Sequence, residues 1–128
     1  MDMQIAHSPK RYRYCEYLAD DGQPSVMLSQ ATGCHDKTGA EIYEFDVLAV
    51  PYAWLDGILL IPVLWHANCA RFDLDEALAV LLDAPRPETL QIEALPLMAR
   101  WGYVVGTVFE PHPVIEARTR RLFMMSAA

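Results

Sequence analysis

Three groups of side chains in this sequence have types and spacings that chemistry can use. Cys34-His35 and His66-Ala-Asn-Cys69 supply two thiols and two imidazoles. If two strands bring them together they make a four-ligand zinc site, because zinc takes thiolate and imidazole in a tetrahedron. Neither pair has Cys-x-x-Cys spacing, and a chain of 128 residues can bury a core without metal. A small buried cysteine and a polar histidine at a strand edge account for both pairs, so no metal is expected. A Cys–His nucleophile on the same residues has less behind it still.

Glu41, Glu44 and Asp46 are the second group. They can serve as a hydrolytic carboxylate pair or hold Mg²⁺. In one extended strand Glu44 and Asp46 share a face and Phe45 points oppositely. A solvated face, or a carboxylate tying down the preceding turn, is the simpler account. Thr32-Gly33 with Asp36 and Gly39 can in principle cradle a phosphate or a cation. Asp in such a segment more commonly accepts backbone N–H bonds of its own turn, with Gly supplying the left-handed residue. No Walker or dinucleotide fingerprint is present.

The third group is Tyr12, Tyr14 and Tyr17, interleaved with Lys10, Arg11 and Arg13, which suits stacking on single-stranded nucleic acid. The charge balance opposes it. Residues 36–93 hold eleven acids and three bases, a block of -8 within a chain of -7. Such a field repels phosphate, so nucleic acid is disfavoured as a partner. Arg118-Thr-Arg-Arg121 reads as a solvated helix face or a subunit contact. Trp54, Trp65 and Trp101 are too dispersed for a carbohydrate platform, and packing or an interface explains them better. No catalytic residue and no cofactor is expected.

The elements that position these groups are mostly strands. Length predicts a single domain, and 53% hydrophobic with 21% charged residues excludes disorder. Residues 1–10 lack periodicity and read as a mobile arm, leaving 11–128 as the domain. Tyr12 and Tyr14 fall on one face of a strand over 11–18 and Arg11 and Arg13 on the other. Ala19 to Pro24 is a turn, and a strand over 25–31 completes a hairpin. Residues 32–39 form a compact turn. Glu41 to Tyr52 alternates as one strand. Asp56-Gly57 turns, and Ile58 to His66 is a buried strand interrupted or bulged at Pro62. A turn and short strand follow to Leu74.

The period then changes. Asp73 and Asp75 precede a short predicted helix over 76–83, with Leu74, Leu78, Leu81 and Leu82 as its apolar stripe and prolines at its end. This makes an acidic helical insert near 74–95. Trp101 to Glu110 is a strand in which Gly106 marks a bulge or a close backbone contact. Residues 114–125 are compatible with a helix. The whole is a mainly β protein: a small, strongly bent barrel with one or two short α-helices. The apolar run 58–64 is too short to span a bilayer, and no membrane partner is expected. The polar N-terminus shows no signal-peptide pattern, and three widely spaced cysteines fit free thiols in a reducing cytoplasm.

The run Gln30, Thr32-Gly33, Asp36, Gly39, Ile42-Tyr43-Glu44 and Asp46 resembles the YopX family, small proteins of phages and prophages. Gly106-Thr-Val-Phe-Glu-Pro-His-Pro113 is similar to that family's later strand. The specific match covers a fifth to a quarter of the chain. It departs at Phe45, where the family has Gly. Glycine there permits a positive φ, which a phenylalanine does not adopt cheaply, so a local change of backbone or surface is expected at that point. The resemblance implies an SH3-like β-barrel, a bacterial host and no enzymatic activity, and it supplies no catalytic residues.

These readings lead to a non-enzymatic binding or assembly protein. The hydrophobic fraction is high for a monomer, which implies a homo-oligomer, and a host or phage protein is the further partner. Phe45, Tyr12, Tyr14, Trp54 and Trp101 are the candidate interface residues, and Phe45 is expected either buried against the acidic insert or at a subunit contact. The rivals are an acidic anti-host inhibitor that mimics nucleic acid, a single-strand binder using Tyr12, Tyr14, Arg11 and Arg13, and a hydrolase using Glu44 and Asp46.

Overall fold

The computed structural model describes residues 11–52 and 57–127, with side chains as far as Met124. Strands β1 (Tyr12–Leu18) and β2 (Pro24–His35) form the expected hairpin, and seven pairs run without a shift from Tyr12 against Gln30 to Leu18 against Pro24. Its turn closes locally: Gly22 donates to the Ala19 carbonyl, and the Gln23 N–H is held by the Asp21 side chain at 3.0 Å. β2 then outruns the predicted strand and pairs with β3 (Glu41–Tyr43), giving a three-stranded antiparallel sheet ordered β1-β2-β3.

Residues 36–40 make the tight turn between β2 and β3. Asp36 is buried and directs Oδ1 at the N–H groups of Thr38 (2.8 Å) and Ala40 (3.0 Å) and at the Thr38 hydroxyl (2.7 Å). Gly39 takes φ +90°, the left-handed geometry that glycine adopts without steric cost.

The predicted single strand over 41–52 is broken. A turn at Glu44-Phe45 separates β3 from β4 (Asp46–Tyr52), and Phe45 has φ +75°. Phe45 thus adopts the left-handed backbone that glycine takes without steric cost, although its side chain is phenylalanine. Glu44 and Asp46 do not share a strand face, because a reversed residue stands between them.

The second sheet is ordered β6-β5-β4-β8, with β7 also on β5. Its further strands are β5 (Gly57–His66), β6 (Arg71–Leu74), β7 (Val80–Leu82) and β8 (Tyr103–Thr107). β5 runs through Pro62 with its β4 register intact, so the expected interruption is absent. Pro62 falls between the β7 ladder at 58–60 and the β6 ladder at 63–66, where a missing N–H removes no rung. β8 carries the bulge expected near Gly106, as a register shift opposite Val47 and Leu48.

The predicted helix over 76–83 is also corrected. The chain makes one 3-10 turn, Glu76–Leu78, capped by the Asp75 side chain, and then turns extended at Ala79 to form β7. Leu81 and Leu82 pair with Leu59 and Ile58 of β5. Their apolar spacing fits either period, and an open sheet edge decides it. Helix α1 (Leu95–Met98) is a single turn, continued as the 3-10 turn Ala99–Trp101, and α2 (His112–Ala127) is the only long helix among the described residues. Pro111 and Pro113 flank its start, where a missing N–H costs nothing.

The five-stranded sheet is buried on both faces, and so its central strands read as continuous apolar runs. On one face Leu48, Val50, Leu59, Ile61 and Val63 pack with Ile42, Leu90, Leu95 and Ala99. On the other Val47, Ala49, Ile58 and Leu60 pack with Leu82, Val105 and Ile115, and Leu122 and Phe123 of α2 close that side. The protein is mainly β, as expected. Its ladders form two open antiparallel sheets, and strand pairing among the described residues does not close into a ring.

Candidate functional site

The acids singled out in the sequence lie where the two sheets meet. Asp46 is fully buried at the start of β4. Its Oδ2 accepts the Tyr43 N–H at 2.7 Å, and its Oδ1 accepts from the Arg13 guanidinium of β1. Arg13 also lies over the Tyr43 ring, 4.6 Å from its centre, and its Nε reaches Ser29 Oγ at 3.3 Å. The Cys15 thiol contacts the same Ser29 hydroxyl at 3.5 Å. Burial pushes the Asp46 carboxyl up, outweighing the Tyr43 amide and the Arg13 guanidinium. Burial of Arg13 lowers its pKa, but the Asp46 carboxylate prevails and holds it above the ordinary value. This is a structural pair: the Asp46 carboxylate is fully buried, and the Arg13 guanidinium that meets it is partly exposed. Glu44, half-buried, is pushed up by burial.

Asp36 is the counterpart. Burial alone raises its pKa, but the hydrogen bonds from Val104, Thr38 and Ala40 outweigh it and hold the carboxyl below the usual range. Its Oδ2 accepts the Val104 N–H at 3.0 Å. The turn therefore caps itself and also anchors β8, and its polar atoms are used up in doing so.

Most of the guanidinium groups are engaged inside the chain. Arg11 pairs with Glu41 and Arg71 with Asp73. Arg118 pairs with Glu110, and Arg120 with Asp83 and Glu116. Arg86 donates to the Ala79 carbonyl. The two arginines proposed to flank stacked bases on β1 are thus both neutralised by carboxylates about thirty residues away in sequence.

The sulfur and imidazole groups do not assemble. Among the described residues no three His, Cys, Asp or Glu side chains come together as a metal site. Cys15 is buried, Cys34 half-buried against the core and Cys69 exposed, all as free thiols. His66 Nε2 is buried without a hydrogen-bond partner.

Of the expected interface residues, Phe45 is half-buried. Its ring packs on Phe109 after β8, 5.3 Å between centres, and Phe109 in turn stacks on Tyr17 of β1 at 5.1 Å. This aromatic row joins β1, the 44–45 turn and β8. Trp101 is 65% exposed and stands at the mouth of a cleft of about 560 Å³ lined by Val50, Pro51, Tyr52, Ile92 and Met98. Trp54 lies outside the described residues.

Tyr12 and Tyr14 are exposed on one face of the hairpin. Strand alternation places Glu16 and Leu18 on that same face, and the register adds Val26 and Leu28 of β2, with Leu28 directly opposite Tyr14. Tyr14 and Leu18 are 76% and 73% exposed, and Val26 and Leu28 are each about half exposed. Val26 and Leu28 were missed in the sequence. The signal was present in the alternation Ser25-Val26-Met27-Leu28-Ser29, but without the register nothing says which face is solvated. No helix among the described residues is long and apolar enough to cross a membrane.

No protein-family model matches the chain, and a comparison with curated proteins finds no match.

Proposed function

We propose that this chain is a non-enzymatic binding and assembly protein, of phage or prophage type and related to the YopX family, working in the cytoplasm of a bacterial host. Its working surface is the outer face of the β1–β2 hairpin, and its partners are proteins. The observation that carries this reading is the grouping of Tyr12, Tyr14, Leu18, Val26 and Leu28, all exposed, on one uninterrupted ladder. An apolar patch of this kind is normally covered by a partner.

Two features weigh against the rivals. Arg11 and Arg13, which a strand-stacking site needs as free cations, are bound to Glu41 and Asp46. Asp46, which a hydrolase needs at a solvent-accessible site, is fully buried and ligated by protein donors. The test compares proteins captured from host lysate by the wild-type chain and by a Tyr14→Asp, Leu28→Asp variant that keeps its thermal midpoint. Specific loss of one captured protein is expected. Identical capture by both chains contradicts the assignment of the surface.

A further inference from the structure

We infer that the edge of β1 takes a second copy of this chain, its β1 antiparallel to the first across a two-fold axis through Cys15. The inference rests on the reading of the hairpin as an interaction surface and names one occupant for it.

The backbone gives the first reason. β1 ends its sheet, with β2 on one side and no described strand on the other. The Ala31 N–H donates to the Arg11 carbonyl, so residues 11, 13, 15 and 17 direct their backbone groups toward β2. Tyr12, Tyr14, Glu16 and Leu18 must then direct theirs outward. The Gln30 carbonyl, on the alternate parity of β2, accepts from Glu44 on the far side, as this alternation demands. Exposed edges of soluble sheets are commonly protected by a lysine, a proline or a bulge. β1 has no lysine, proline or bulge: its seven pairs run unshifted, its inward-facing Arg13 is committed to Asp46, and Glu16 is the one charge on its outward row.

Self-complementarity gives the second. Antiparallel pairing about Cys15 sets Tyr14 against the partner's Glu16 and Tyr12 against the partner's Leu18, each with both outward backbone bonds made. On the inner side Arg13 meets the partner's Tyr17. No like charges are opposed, whereas an axis through Glu16 would oppose two carboxylates. The outer face then reads Leu28–Tyr14–partner Glu16–partner Val26 across four strands. The aromatic row behind the hairpin, Tyr17 on Phe109 on Phe45, holds β1 against the rest of the protein, so the edge is presented ready-formed. Preorganisation of this kind reduces the ordering cost of pairing.

Light scattering on the full chain tests this. Wild type is expected at twice the 14.5 kDa protomer mass. Tyr14→Pro and Glu16→Pro each remove an outward N–H while leaving the bonds to β2, and both are expected to be folded monomers. Amide exchange on the wild type needs no variant: Tyr14 and Glu16 should be protected in concentrated solution and exchange faster on dilution. A wild-type monomer at every soluble concentration overturns the inference, as do proline variants that remain dimeric, or fast exchange at Tyr14 and Glu16. If wild type is monomeric while Tyr14→Asp, Leu28→Asp still loses its captured protein, self-pairing alone is removed and the binding surface stands.

Discussion

The carboxylate of Asp36 accepts the backbone N–H of Val104 across 68 residues of sequence, at 3.0 Å. One side chain thereby closes the β2–β3 turn and fixes β8 to the same corner. Asp36→Ala leaves the Thr38, Ala40 and Val104 amides without their acceptor. A loss of about 1–2 kcal/mol in urea unfolding is expected, because bonds to a buried carboxylate are lost while the amides of the exposed Thr38 and Ala40 can turn to water.

Asp36 and Asp46 respond to pH in opposite senses. The folded pKa of Asp36 lies below its unfolded value, so its stabilisation is present above the unfolded pKa and is lost as pH falls through the folded one. The folded pKa of Asp46 is raised, so its contribution is full below the unfolded pKa and is lost as pH rises through the folded one. The stability of wild type relative to Asp36→Asn should therefore shrink on acidification. Relative to Asp46→Asn it should grow. Unfolding curves from neutral pH down through the carboxylate range measure both, and parallel trends contradict the assignment.

Removing one member of the buried pair costs more than neutralising the other. Arg13→Ala strands the Asp46 carboxylate, which has no solvent access, while Asp46→Asn retains an acceptor for Tyr43 and leaves Arg13, 30% exposed, partly hydrated. A loss of about 2 kcal/mol is expected for Arg13→Ala, below the full buried-pair value because of that exposure. The loss for Asp46→Asn should be smaller, and equal losses in thermal melts count against this account.

Phe45 inverts the usual ranking of alanine and glycine. Both substitutions lose the ring that packs on Phe109, but only glycine relieves φ +75°. Phe45→Gly should be more stable than Phe45→Ala by about 1 kcal/mol. A more stable alanine variant in the same denaturation series rules out the left-handed backbone.

Gly102 is constrained by packing. A Cβ there meets Leu48 Cγ at 2.9 Å and the Ala49 carbonyl at 3.1 Å, and Leu48 is fully buried. Gly102→Ala should cost about 1–3 kcal/mol by overpacking. An unchanged melting midpoint would show that the 99–102 segment can shift away from β4.

Local chemistry dictates much of this molecule. Asp-Asp-Gly at 20–22 and Asp36 with Gly39 specify their turns, because the side chain and the left-handed residue act within a few positions. Alternation in 12–18 marks a strand, and residues 114–125 carry a helix-compatible pattern that lies within the helix from His112. The mainly β class was legible for the same reason. What could not be read there depends on partners distant in the chain. Leu81 and Leu82 have helical spacing, yet the open edge of β5 draws them into a strand. Arg11 and Arg13 look like free cations until folding brings Glu41 and Asp46 beside them. Phe45 keeps a glycine's backbone, and its ring gains a partner in Phe109 that adjacency in sequence does not reveal. Turns and periodicity are fixed by interactions a few residues long; register, ion pairing and the choice of which apolar face stays in water are fixed by contacts that exist only once the sheets have met.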